Sequence, residues 1–145
     1  MFRKLIATSP VWMPVPLRLA MGVIFVGHGA QKVLGSFGGP GLSKWLTFPA
    51  PFPFMRPAWL WMGAAAIGEL IGGVLLILGL LTRLGAFLLF CTMLTAVIGV
   101  HLKGGLFLPT GFEYALALLA GALALLISGG GMASVDLALS SGRRR

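Results

Sequence analysis

The stretch from Ala58 to Leu81 is almost entirely apolar and carries one charge, Glu69. It is long enough for a helix to cross the hydrocarbon core of a bilayer, which takes roughly 20 predominantly apolar residues. A charged side chain near the middle of such a helix costs roughly 3 kcal/mol on insertion scales, so it faces a bundle interior and a polar partner. The chain must therefore fold as several helices around Glu69, one of which supplies that partner.

Composition points the same way. Of 145 residues, 58% are hydrophobic and 10% charged, and the mean hydropathy is +1.00, values that suit an integral membrane protein rather than a soluble domain. The reading predicts spans over about 16–34, 57–81, 84–101 and 110–128. The first is the most polar, with Arg18, His28, Gln31 and Lys32, while the third has no charge and the fourth is rich in Leu and Ala after Glu113. Short links between the later spans make successive helices antiparallel neighbours. The expected fold class is therefore all-α: a polytopic membrane protein, a four-transmembrane-helix antiparallel bundle forming a single domain over 1–145. Glycine numbers 22, and small residues let membrane helices approach closely where lipid offers no hydrophobic drive. Ala64, Gly68 and Gly72 form such a ridge beside Glu69, which the reading expects to bring His28 to Glu69.

Between the first two spans, Gly35 to Arg56 holds Gly38, Gly39, Pro40 and Gly41, then Pro49, Pro51 and Pro53 alternating with Phe52 and Phe54. Proline at that density rules out one continuous helix. The segment reads as an interfacial Gly/Pro/Phe-rich loop with a short helix after Pro40, its Trp45, Phe48, Phe52 and Phe54 lying at headgroup level. A re-entrant flap over the bundle is the functional alternative.

The formal charge of +8 comes from basic residues placed singly at the ends of apolar runs, which excludes the basic stripe of a nucleic-acid binder. Membrane lipids are the expected partners, with Arg143, Arg144 and Arg145 as a headgroup anchor. Four spans put both termini on one side, where seven basic residues stand against four on the other. The positive-inside bias then places both termini in the cytoplasm, in the inner membrane of a prokaryote. Pro10, Pro14 and Pro16 break the apolar core that a cleaved secretory leader needs, so no cleavage is expected.

Counting 1.5 Å per residue along each helix puts His28 and Glu69 near the same depth, with Lys32 one turn beyond His28 on the same face. An imidazole, an ammonium and a carboxylate can then share one pocket. His101 and Glu113 extend the polar set to the outer surface, and Arg18 and Arg83 mark the cytoplasmic end, where the reading makes them snorkelling anchors. Cys91 is the only cysteine, which excludes an intramolecular disulfide and assigns it to packing. No metal is expected, because His28 and His101 stand about 10 Å apart along the membrane normal and cannot face one another across one iron. Hydrolase, nucleotide and dinucleotide fingerprints are absent from the chain, so those chemistries have no support.

Six pieces in order carry a resemblance: RLAMGVIFVGHGAQKVLG at Arg18 to Gly35, the GGPGL loop, GELIGGVLLILGLLTRLGA at Gly68 to Ala86, His101, the FEYALALL opening of the last span, and GGGMASVD at Gly129 to Asp136. Over roughly Leu17 to Leu137 the chain resembles the DoxX family of small four-helix membrane proteins, related to the DoxD subunit of thiosulfate:quinone oxidoreductase. The resemblance implies an accessory part of a membrane redox system with other subunits as partners. Its polar pattern falls here on Arg18, His28, Lys32, Glu69, Arg83, His101, Glu113, Ser134 and Asp136. Asp136 lies beyond the last span, where a turn or a cap for a short terminal segment is the expected role.

Two readings follow. In one, His28, Lys32 and Glu69 bind a quinone-sized polar head and relay its proton, the electrons coming from a partner, since this chain shows no carrier of its own. In the other, the protein is a non-enzymatic scaffold or small-molecule carrier whose polar cluster fixes helix register. Whether any activity is intrinsic, and whether the chain forms a homo-oligomer, stay open at this stage.

Overall fold

A computed structural model describes residues 5–141. Arg143 to Arg145, expected as a headgroup anchor, lie outside them, as do Arg3 and Lys4, which entered the charge count. The described residues form helices and no strand: α1 Pro14–Leu34, α2 Gly41–Trp45, α3 Ala58–Leu78, α4 Thr82–Thr95, α5 Glu113–Ser128 and α6 Val135–Ser141. Four of these are long, and they pack as α1 on α3, α3 on α4 and α4 on α5. Their shared core is Met21 and Phe25 of α1, Leu76 of α3, Leu89 of α4, and Leu118 and Leu125 of α5.

Two helices are long and apolar enough to cross a membrane, Ala58–Leu78 and the unbroken helical run Thr82–Gly104; Glu113–Ser128 is apolar but shorter. The 21 residues of α1 are sufficient in length, but Arg18, His28, Gln31 and Lys32 dilute its hydropathy. Outward faces are apolar throughout, with Val23, Ile67, Ile71, Phe87, Ile98 and Ile127 all exposed. Water does not tolerate so continuous an apolar surface, whereas acyl chains do.

Boundaries follow local chemistry. Two prolines stand within the opening turn of α1, where a missing N–H costs nothing. Gly35, at φ 71°, ends it in the left-handed cap that only glycine adopts freely. The expected span from 57 to 81 stops earlier, at Leu78, because Gly79 at φ 63° caps it. The chain then turns over Gly79 to Leu81, so Thr82 opens α4 rather than belonging to the link. Beyond Thr95 the helix widens into a π turn over Ala96–His101 and tightens into a 3-10 turn at Leu102–Gly104.

Glycines set the stagger of α1 against α3. A Cβ on Gly29 would lie 2.6 Å from the Cα of Leu70, and one on Gly73 would lie 2.7 Å from the Val26 amide nitrogen. The antiparallel helices thus run backbone to backbone, with Gly29 beside Leu70 and Gly22 beside Ile77. The expected ridge of Ala64, Gly68 and Gly72 does not make this contact: Gly72 packs on Leu89 of α4, and Gly68 meets nothing within 4 Å.

With that stagger α1 ends level with about Ala65, leaving α3 to continue about seven residues, or roughly 10 Å, beyond it. The linker fills the step. The α2 helix packs on α1 and α3, Leu46 approaches Gly63, and Trp45 donates its indole N–H to the Met62 carbonyl at 2.8 Å. The linker therefore tucks against the bundle instead of only bordering it.

Candidate functional site

Above their shared core the long helices part around a cavity of about 450 Å³. Its polar feature is a pair contributed by α1 and α3. The Lys32 ammonium donates to Oε2 of Glu69, which is 2% exposed. The stagger puts both candidates in range and side-chain direction selects between them. With Gly29 opposite Leu70, Ala30 is level with Glu69 and His28 and Lys32 stand two residues to either side; the long Lys32 side chain leans back toward the start of its helix and reaches the acid, while His28 makes no hydrogen bond among the described residues. The expectation that the ridge would deliver His28 to Glu69 is thus corrected; the ammonium takes that place.

The linker completes the pair's surroundings. The Trp45 ring centre lies 4.9 Å from Lys32 Nζ, a cation–π distance. Because the same indole is tied to Met62, the ring is held in place over the ammonium. Phe48 packs edge-on against it, with centroids 5.4 Å apart.

Four of the five polar candidates, His28, Lys32, Glu69 and His101, line this cavity. His28 is exposed at its rim, and His101 arrives at the end of the π turn. A π turn inside an α-helix often marks a functional position. Glu113 does not join them. Its Oε1 accepts from the Leu108 amide at 2.9 Å, so it ties the loop before α5. Cys91, read as packing, is exposed and forms part of the cavity wall. Trp45, Met62, Thr92 and Tyr114 also line the cavity. Nothing in their sequence context set them apart, since an aromatic or a hydroxyl in an apolar run reads equally well as an interface belt or as packing. Thr92 is turned to its own helix, its hydroxyl donating to the Leu88 carbonyl at 3.0 Å.

At the opposite end of the bundle a second polar cluster is sealed from the surface. Arg18 is 2% exposed, so it does not snorkel. Its Nη2 donates to the Ala133 carbonyl at 3.0 Å, and Asp136 is the acid whose charge it feels, although the two do not touch. Asp136 caps a helix other than its own: its two oxygens accept from the amides of Leu81 at 2.7 Å and Thr82 at 2.8 Å, the start of α4. That helix has no capping side chain from its own N-cap residue, and a carboxylate suits the positive end of its dipole. Ser134 is the residue that caps α6, accepting from the Leu137 amide at 3.1 Å. Arg83 closes α5, donating to the carbonyls of Leu126 at 3.0 Å and Ile127 at 2.8 Å.

Comparison with known proteins places this architecture. The DoxX family profile matches residues 13–102. A Bacillus subtilis (strain 168) protein named "Putative oxidoreductase CatD" is 36% identical over 115 residues, 75% of each chain. An uncharacterized protein of Haemophilus influenzae is 32% identical over 134 residues, covering 83% of this chain and 85% of that one. An uncharacterized membrane protein of Mycobacterium tuberculosis is 32% identical over 136 residues, covering 86% and 79% respectively. No solved structure matches the chain.

Proposed function

Because the chain belongs to the DoxX family and a relative is named a membrane protein, we propose that it is an accessory subunit of a redox system in a prokaryotic inner membrane, binding a quinone in the cavity beside Lys32 and Glu69. The observation that carries this reading is an ion pair at one side of a largely apolar cavity. Pockets that hold small organic ligands run about 300–1,000 Å³ and combine apolar walls with a few placed polar groups. A quinone accepts two electrons and two protons when reduced. In this reading the Lys32 ammonium donates a hydrogen bond to the ring carbonyl. Glu69 holds the ammonium in place and passes protons, with His101 continuing the relay toward the outer end and His28 a further proton site on the inner side of the pair. Electrons come from another subunit.

The same reading makes all four long helices spans, with both termini cytoplasmic. Arg18 and Lys32 are engaged inside the bundle, so they drop out of the charge comparison. Six basic residues then stand on the terminal side against Lys44, Arg56 and Lys103 on the other.

A second reading, a scaffold or carrier without redox chemistry, is favoured by one observation: Lys32 and Glu69 already satisfy each other. Quenching of Trp45 and Trp61 fluorescence by a benzoquinone in lipid nanodiscs separates the two, since both indoles line the cavity. The quinone reading expects saturable quenching that Glu69→Gln weakens about tenfold, the loss of about one charge-assisted bond. Quenching unchanged in a folded Glu69→Gln bundle leaves the scaffold.

A further inference from the structure

We propose that the ligand enters sideways from the bilayer through a window between α3 and α4, that its hydrocarbon tail stays in that window, and that Gly68 sets the width. The inference rests on the quinone reading of the cavity and adds the ligand's class, a ring with a lipid tail.

The window follows from how α3 and α4 separate. At Gly72 they touch: a Cβ there would lie 2.9 Å from Leu89 Cγ and 3.2 Å from the Gly85 carbonyl. One turn back toward the start of α3, a Cβ on Gly68 would meet nothing within 4 Å among the described residues. Trp61 and Ala64 on α3 and Cys91 on α4 line the cavity and are also exposed on the outer surface of the bundle. A wall residue that also reaches the surface marks an opening. This rim is apolar, as a path from acyl chains requires, whereas His28 and Tyr114 mark the α1 and α5 side with polar groups.

At the outer end the linker covers part of the cavity. Pro51 and Met55 of the linker line the cavity there, and Pro51 lies so close to Gly99 in the π turn that a Cβ on Gly99 would come 2.6 Å from the proline Cβ. With the Lys32–Glu69 pair deep on one side and an apolar opening on the other, the cavity complements a polar ring followed by a hydrocarbon chain.

The test compares a fully substituted benzoquinone carrying a decyl chain with the same ring bearing a methyl group in place of the chain, so that neither adds to a thiol, in nanodiscs, for wild type, Gly68→Leu and, as a second variant on the same rim, Ala64→Leu. Wild type is expected to bind both. The variants are expected to bind the tailed form about tenfold more weakly while binding the bare ring as wild type does, because the added side chain crowds the window and not the ion pair. Cys91, the only thiol, gives an independent readout. Its alkylation by a maleimide dissolved in the bilayer should be slowed by the tailed quinone in wild type, and not by the bare ring. If folded variants bind both quinones as wild type does, the window is overturned and the quinone reading stands. If wild type binds neither, both fall.

Discussion

The Lys32 ammonium is held between the Glu69 carboxylate, to which it donates, and the face of the Trp45 ring, whose centre lies 4.9 Å away. Residues of α1, α3 and the linker thus meet at one charge, so the linker and the bundle share a site although proline separates them in sequence.

Removing one member of the pair should cost more than removing both. Lys32→Met or Glu69→Leu alone leaves an uncompensated buried charge, a loss of about 3–5 kcal/mol. The double variant should recover most of that. Thermal unfolding of the purified protein in detergent checks the order, and single variants as stable as wild type would contradict a buried pair.

Trp45 has two attachments that substitution can separate. Trp45→Phe keeps an aromatic face for Lys32 but loses the hydrogen bond to Met62, at about 1 kcal/mol. Trp45→Ala loses both, adding about 1 kcal/mol or more for the cation–π contact. Protease cleavage within the linker, at Lys44, should accelerate in that order.

Asp136 joins α6 to the start of α4, so Asp136→Ala should destabilise α4 rather than only its own short helix. The missing cap alone costs about 1–2 kcal/mol, and Arg18 loses its nearby counter-charge. Hydrogen exchange should rise first at Leu81 and Thr82, whose amides it holds; protection there unchanged would remove the capping role.

Two glycines in adjacent helices should respond oppositely to the same change. Gly29→Ala places a methyl against the Leu70 backbone, where neither side can yield, and should prevent α1 from docking on α3. Gly68→Ala adds a methyl to open space and should leave unfolding within about 0.5 kcal/mol of wild type.

Much of the architecture is legible from hydropathy alone, because the free energy of placing a segment in lipid is a sum over its own residues. The apolar runs that become α3, α4 and α5 stand out for that reason. The first helix is less legible: Arg18, His28, Gln31 and Lys32 reduce its own sum, and the engagement of Arg18 and Lys32 inside the bundle is a term that sum does not contain. Linker prolines announce a break, yet not that Trp45 would reach back to Met62.

What the sequence by itself determined is that Glu69 needs a polar neighbour among helices, since an isolated charge in hydrocarbon is costly wherever the chain turns. Which neighbour it takes was a tertiary decision. Gly22, Gly29 and Gly73 let α1 and α3 close to backbone distance at one register, and at that register it is the long Lys32 side chain, leaning back along its helix, that reaches the acid. In the same way Asp136 reaches the amides of α4 only because the chain folds back after α5. Both outcomes depend on packing between segments far apart in sequence, and no local sum over residues contains that term.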